Sequence, residues 1–364
     1  MESIHLPSTP YRVTDIGGAG GVDFILDFPS GKDITILQLT DVQLQTMAGV
    51  RTELRKRQVG GAFFSSLPDD FAFRAWRYMD EAVERTRPDL IVLTGDNIYG
   101  ELDDSGAMWQ AFIQKMDSYC IPWCVVFGNH DNESGKGVTW QVEKLLESQY
   151  CIFRQGTVTG NCNYNVLLRQ GNTAKYLLYL LDSNGCKIKL RNEGEGMMPD
   201  NVDINKIEQA DGFRDSQAAW MYESAKQAHA TYGRVPALVF CHTPPQEAVL
   251  AAEKVYGERV NALPFIPDQN GDFGLSLEHL SGAPCGRFWD YAKEIGCTGI
   301  FLGHLHKNAT SMLCDGIRMT FGLKSSTYDY HDKQLLGATL ITLPADGSPL
   351  QIQYVHSALP YEKQ

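Results

Sequence analysis

The apolar residues of this chain fall into short runs, and five of the runs stop in the same way. Thr35-Ile36-Leu37-Gln38-Leu39-Thr40 delivers Asp41. Pro88-Asp89-Leu90-Ile91-Val92 passes through Leu93-Thr94-Gly95 to Asp96-Asn97. Trp123-Cys124-Val125-Val126-Phe127 ends in Gly128-Asn129-His130-Asp131. Ala237-Leu238-Val239-Phe240 ends in Cys241-His242, and Gly299-Ile300-Phe301-Leu302 in Gly303-His304-Leu305-His306. Unbroken apolar runs of this kind predict strands buried on both faces. Ligands of open α/β sheets gather beyond the C-terminal ends of such strands. One polar residue at a strand tip is ordinary. Five tips carrying Asp, Asp, Asn-His, His and His-x-His point to one converging metal site.

Between the runs, apolar residues recur at helical spacing. Phe71 to Arg87 places Phe73, Trp76, Met79, Ala82 and Val83 at that spacing, and Pro88 marks its end. Further helices are expected near Met108–Ser118, Thr139–Gln149, Ser216–Ala230 and Arg287–Ile295. Tyr164–Leu168 and Lys175–Leu181 read as a strand pair around Gly171-Asn172, and the tail from Ile317 to Val355 as short strands. Residues 1–31 read as an irregular start with an edge hairpin. Gly17, Gly18, Gly20 and Gly21 could cradle phosphate only if a helix followed at once, and Val22–Asp27 alternates like a strand instead. Residues 186–213 and 257–286 are polar or rich in Pro, Gly and Asn, and read as insertions over the site, the second of lid type. With no repeat or linker, residues 1–364 are expected to form a single α/β domain with two facing mixed sheets flanked by helices.

A formal net charge of −12 disfavours broad nucleic-acid binding and anionic membrane surfaces, which call for a basic patch. It leaves room for a phosphorylated substrate, because bound divalent metals invert the local field. The basic stretch Arg51–Arg57 follows the first strand tip; it could meet an anionic substrate or be a solvated face. The nine cysteines include no Cys-x-x-Cys, and Cys124 and Cys241 sit inside apolar runs, so reduced buried thiols are expected. No run is long enough to span a bilayer and no leader pattern opens the chain, so a cytoplasmic location is the expectation.

Taken singly, an Asp or Asn at a strand end is usually a turn or cap residue, and a His a hydrogen-bond partner. The ordered set is different. Asp41, Gly95-Asp96-Asn97, Gly128-Asn129-His130-Asp131, His242 and Gly303-His304-Leu305-His306 together resemble the five blocks of the calcineurin-like metallophosphoesterase superfamily over residues 35–306. Pro88 to Ile98, Ile121-Pro122-Trp123, Tyr179-Leu180-Leu181-Asp182-Ser183 and Gln217-Ala218-Ala219-Trp220 bring the likeness nearer to plant and fungal single-domain members named for purple acid phosphatases. The resemblance implies a four-layer αββα sandwich and a dinuclear centre. Asp96 would bridge two ions, Asp41 and His306 would hold the first, and Asn129, His242 and His304 the second. His130 would face the substrate, and Asp131 would orient it. Oxygen and imidazole donors suit manganese, iron, zinc or magnesium. Two such ions about 3.5–4 Å apart clamp the oxygens of a phosphoryl displacement and make hydroxide available near neutral pH.

One block departs from the pattern. Where the family has Asp-x-His, this chain has Asp41-Val42-Gln43. Gln43 could be a weak ligand. Tyr99, in Gly95-Asp96-Asn97-Ile98-Tyr99, has the spacing of the tyrosine that binds ferric iron in purple acid phosphatases, or it packs as a loop aromatic. The expected function is metal-dependent hydrolysis of a phosphomonoester or phosphodiester, on a small phosphorylated substrate or a phosphoprotein. A binding or scaffold protein on a degenerate phosphoesterase fold is the alternative, supported by Gln43.

Overall fold

The computed structural model describes residues 2–5, 10–44, 58–59, 62–63, 71–100, 105–185 and 212–360. The Arg51–Arg57 stretch and residues 186–211 of the first insertion lie outside the described residues.

The apolar runs form strands and divide between two large sheets. The smaller has five strands, in the order Gln351–His356, Gly337–Leu343, Ile34–Leu39, Leu90–Thr94, Trp123–Val126. Its last three strands are parallel, and the two tail strands add antiparallel. The larger has ten. An N-terminal meander of Glu2–His5, Arg12–Asp15 and Phe24–Phe28 leads into Tyr164–Gln170 and Thr173–Leu180. Then come Ala237–Phe240, Cys297–Leu302, Ile317–Phe321, Asn308–Cys314 and Phe273–Ser276. Thr173–Leu180, Ala237–Phe240, Cys297–Leu302 and Ile317–Phe321 are mutually parallel.

Side-chain alternation builds the layers. In the larger sheet, Val166, Leu168, Leu178, Leu180, Leu238 and Phe240 join the core shared with the smaller sheet. Leu167, Leu177, Tyr179, Ala237 and Val239 face the other way, into a second core. Helices Phe71–Thr86, Ala107–Ser118 and Val138–Leu146 pack on the first core. Helices Asp215–Tyr232, Gln246–Tyr256 and Phe288–Glu294 pack on the second. The result is a four-layer αββα sandwich of two mixed sheets. No helix among the described residues is long and apolar enough to cross a membrane.

The 257–286 stretch differs from a lid. Phe273–Ser276 pairs with Asn308–Cys314 and closes the edge of the larger sheet. Its sequence hides the strand because Gly274 breaks the apolar pattern, and that glycine is required: a Cβ there would lie 2.0 Å from the Ala309 carbonyl oxygen.

The two sheets are joined by directed bonds as well as by apolar packing. Trp123–Val126 ends its sheet, and the buried Tyr164 hydroxyl from the other sheet takes both main-chain groups of Val125. It accepts from the N–H at 3.0 Å and donates to the carbonyl at 3.0 Å. Tyr164→Phe leaves both groups buried and unpaired, so unfolding free energy should fall by about 1–3 kcal/mol. Chemical denaturation of the variant checks this; a midpoint matching the parent would mean that the edge is satisfied in another way.

Candidate metal centre

Six parallel strands, three from each sheet, end beside one another. From the smaller sheet come the tips bearing Asp41, Asp96 and Asn129-His130. From the larger come His242, His304-x-His306 and a sixth, after Ile317–Phe321, bearing Lys324. Asp41 and Asp96 are each 1% exposed, His242 is wholly buried, and one ligand atom of each of the three lies within 4.8 Å of the others.

Such closeness requires missing side chains. A Cβ at Gly303 would meet Thr40 Oγ1 at 2.1 Å and Asp41 Oδ2 at 2.9 Å, and one at Gly128 would meet Asp96 Oδ1 at 2.2 Å. The Gly-Asn-His and Gly-His-x-His blocks need their glycines for this reason. The backbone is also bent. Asp41, Gln43, Asp96 and His304 have positive φ of 52°, 47°, 51° and 72°. Each such residue costs on the order of 1–3 kcal/mol and persists only where its surroundings hold it. Here they do: Asp41 N–H donates to Gly95 O, Gln43 N–H to Asp96 O, and His304 N–H to the Asp41 carboxylate at 3.0 Å.

Carbonyl groups set the histidines. His242 Nδ1 lies 2.9 Å from Thr94 O, and His306 Nδ1 2.9 Å from Tyr330 O. Each Nδ1 therefore carries a hydrogen, and each Nε2 is turned to the carboxylates. His242 Nε2 lies 3.3 Å from Asp96 Oδ2, and His306 Nε2 lies 3.2 Å from Asp41 Oδ1. An imidazole lone pair aimed at a carboxylate is repulsive unless a cation, either a proton or a metal ion, sits between. His304 brings Nδ1 to 3.3 Å from the same His242 nitrogen. Asn129 is 2% exposed, and both of its amide atoms are buried without a hydrogen-bond partner. A buried unpaired amide beside carboxylate and imidazole donors fits a hard or borderline metal ion.

Charges follow this geometry. Burial would raise the Asp41 carboxyl, but His306, His242 and Lys324 hold it down at about 2. Burial would lower His242, but the Asp96 carboxylate, helped by Asp41, lifts it to about 10. Burial and the nearby His242 push His304 down to about 3.

Tyr99 stacks on the His130 ring, with centroids 4.3 Å apart and planes at 22°, a contact that fixes the imidazole plane. Gln43 is wholly buried; its Oε1 accepts from Lys324 Nζ at 2.7 Å and its Nε2 faces Asp96 Oδ2 at 3.5 Å. Asp131 does not orient His130. Its carboxylate accepts from Gly128 N, Asn97 N, Asn97 Nδ2 and Ile98 N at 2.8–3.0 Å, tying the Asp96 loop to the Asn129 loop. The orienting group is Glu133, whose Oε2 lies 2.8 Å from His130 Nδ1. The short 3-10 turn Asp131–Glu133 brings residue 133 back over residue 130. An acidic residue three positions after His130 is the signal for it in the sequence. Lys324, 1% exposed, also donates to Asp41 O at 2.7 Å. Its signal is its position just after another strand, Ile317–Phe321, whose residues alternate apolar and polar.

A model of the calcineurin-like phosphoesterase family matches residues 34–308, which span every block above. The chain belongs to that family. Its members typically hold a dinuclear metal centre. The Arabidopsis thaliana protein "Probable inactive purple acid phosphatase 28" is 26% identical over 242 residues, covering 60% of this chain and 55% of that protein. "Probable inactive purple acid phosphatase 14", from the same plant, is 25% identical over 324 residues, covering 84% and 73%. This chain thus spans about half the length of the first relative and about three quarters of the second. The solved purple acid phosphatase PPD1 from yellow lupin seeds aligns with a TM-score of 0.44 and 11% identity over 89% of this chain and 52% of its own.

The raised His242 predicts a pH effect. Its folded-state value lies above the ordinary 6.5, so the metal-free ring holds its extra proton through neutral pH. A metal ion must displace that proton, so apparent affinity should rise with pH until about 10 and then flatten. In the metal-free protein, stability from this group is full below its ordinary value and lost as pH rises through about 10. Calorimetric titration with manganese in buffers of different ionisation enthalpy should show a proton released at pH 8. Release of none would show the ring neutral.

Proposed function

We propose that the protein is a metal-dependent phosphoester hydrolase. Asp96, Asn129, His242 and His304 would hold one ion, and Asp41, Asp96 and His306 converge on a second position beside it. The donors suit manganese, iron, zinc or magnesium. When bound, metal there supplies Lewis acidity toward phosphoryl oxygens and an attacking water. The observation that carries the reading is Asn129: its amide is buried without partners, next to the glycine that presses on Asp96, in a cluster where carbonyl bonds aim Nε2 of His242 and His306 at the carboxylates.

His130 performs the proton step. Glu133 takes Nδ1–H, so the ring turns Nε2 toward Asp96 Oδ2, 4.0 Å away. As water adds to phosphorus and the ester P–O bond breaks, the departing oxygen takes a proton from the His130 imidazolium Nε2. The Glu133 carboxylate stabilises that imidazolium, and Tyr99 keeps its plane. The substrate class is a small phosphorylated molecule or a phosphoprotein. We infer a reducing, cytoplasmic setting, in keeping with eight described cysteines that are all free thiols.

A second reading, ligand binding without turnover, draws on Gln43 and on the word inactive in the names of the plant relatives. Hydrolysis of a chromogenic phosphomonoester and phosphodiester, with manganese and with chelator, separates the two. On the first reading, chelator abolishes turnover, and His130→Ala lowers it by about 10²–10⁴-fold at unchanged metal content. Full activity in that variant would remove His130 from the mechanism, and no metal-dependent turnover in the parent would favour the second reading.

A further inference from the structure

The two metal positions are unequal in this chain. The Asn129 amide is buried without a partner. The amide beside Asp41, that of Gln43, is already engaged. Asp41 Oδ2 accepts from Thr40 Oγ1 at 2.8 Å and His304 N at 3.0 Å, and Oδ1 faces His306 Nε2 at 3.2 Å. Gln43, which stands where the family places an imidazole, is engaged too. An ammonium has donors and no acceptor, so Lys324 fixes which way the amide points. The oxygen turns to Nζ at 2.7 Å, and the NH2 turns to Asp96. An amide NH2 has no lone pair to offer a metal ion, so Gln43 cannot ligate without leaving a buried ammonium short of an acceptor.

Lys324 is held in place. It follows Ile317–Phe321, and its backbone is fixed by Lys324 N to Leu335 O and Gly337 N to Lys324 O. Its neighbours stitch the same loop to the Asp41 tip: Ser325 N donates to Thr40 O, and Ser326 Oγ to Val42 O at 2.7 Å. The ammonium cannot swing to solvent, and the carboxylates of Asp41, Asp329, Asp96 and Glu278 all act on it. It sets a positive charge against the Asp41 main-chain carbonyl and the Gln43 amide, beside the carboxylates, and that charge repels a further divalent cation.

We propose that Lys324, with Gln43 as its acceptor, takes the place of one ion, so that this protein holds a single divalent metal at the Asp96, Asn129, His242 and His304 position. The proposal rests on the reading of this cluster as a metal centre. Lys324 acts through charge and through Gln43, as a positioning residue.

The test is metal stoichiometry in the full chain, by equilibrium dialysis against manganese and by electron paramagnetic resonance. The parent should bind one ion per chain and give the six-line spectrum of isolated manganese. Gln43→His combined with Lys324→Met restores an imidazole and removes the charge while keeping the length of the side chain. It should bind two ions and give the broadened spectrum of a coupled pair. Circular dichroism confirms that the variant folds. If the parent itself binds two ions with a coupled spectrum, the proposal is overturned whether or not the variant folds. A folded variant that still binds one ion would overturn the role given to Lys324. A parent that binds no ion would instead overturn the metal-centre reading on which the proposal stands.

Discussion

Two carboxylates buried side by side are the constraint on which this site is built. Asp41 and Asp96 are 1% exposed and share one cluster with His242. Removing an ionised carboxylate from water costs several kcal/mol even after relaxation, and a second like charge nearby adds to it. The fold answers from several sides. His242, held protonated by Asp96, and Lys324 bring positive charge, His306 turns Nε2 to Asp41, and main-chain N–H groups of His130 and His304 donate to the carboxylates. Each answer requires a backbone path that reaches the same few ångströms. Parallel strands from two facing sheets provide such paths, because all of their C-terminal ends open on one side.

That convergence explains where the sequence departs from local preference. Four non-glycine residues at the tips adopt positive φ, and glycine stands wherever one loop presses on another. A chain selected for stability alone would avoid such strain. The cost is met by the surrounding sandwich, whose two cores are made mainly of aliphatic and aromatic side chains. Asp131 serves the same end. It does no chemistry on His130 and instead accepts four donors from two loops, so that Asp96 and Asn129 keep their spacing. Burial and the nearby Asp96 charge push its carboxyl up to about 7, while N–H donors pull the other way, so its hold on the loops is sensitive to whatever neutralises Asp96.

Much of this is legible in the residues. The strands ending in Asp41, Asp96, Asn129, His242 and His304 are apolar on both faces, so period and burial agree, and the glycine-flanked polar tips announce themselves. The helices around Trp76, Trp109 and Met221 follow from spacing. The edge strand Phe273–Ser276 is less visible, since four residues with a central glycine carry almost no periodic signal. The roles of these residues are less legible than their positions. Asp131 and Glu133 both follow His130 closely, and only the 3-10 turn decides which carboxylate returns to the ring. Gln43 is visible as an oddity, but its partner lies 281 residues away, and no local pattern links the two. Lys324 sits on a strand tip like the other site residues. It escapes notice because a lysine there reads as a charge in a loop until the second sheet is seen to bring it beside Asp41.

The difference between a lysine and a metal ion as a neutralising charge is one of supply. A metal contributes to folding only as far as its free concentration exceeds its dissociation constant. An ammonium on the chain is present whenever the chain folds. Burial lowers Lys324 to about 8, with Asp41, Asp329, Asp96 and Glu278 acting the other way, so it remains mostly charged at neutral pH. The Asp41 half of the cluster is thus compensated from within, and the Asn129 half is left to an exchangeable ion. Such a division makes half of the site a permanent part of the fold and concentrates metal dependence on Asp96, Asn129, His242 and His304. It also explains why Gln43 is tolerated where an imidazole is expected. Beside a fixed ammonium, a neutral acceptor is the better partner, because a histidine would have to give up its lone pair to the lysine or bring a second positive charge against it.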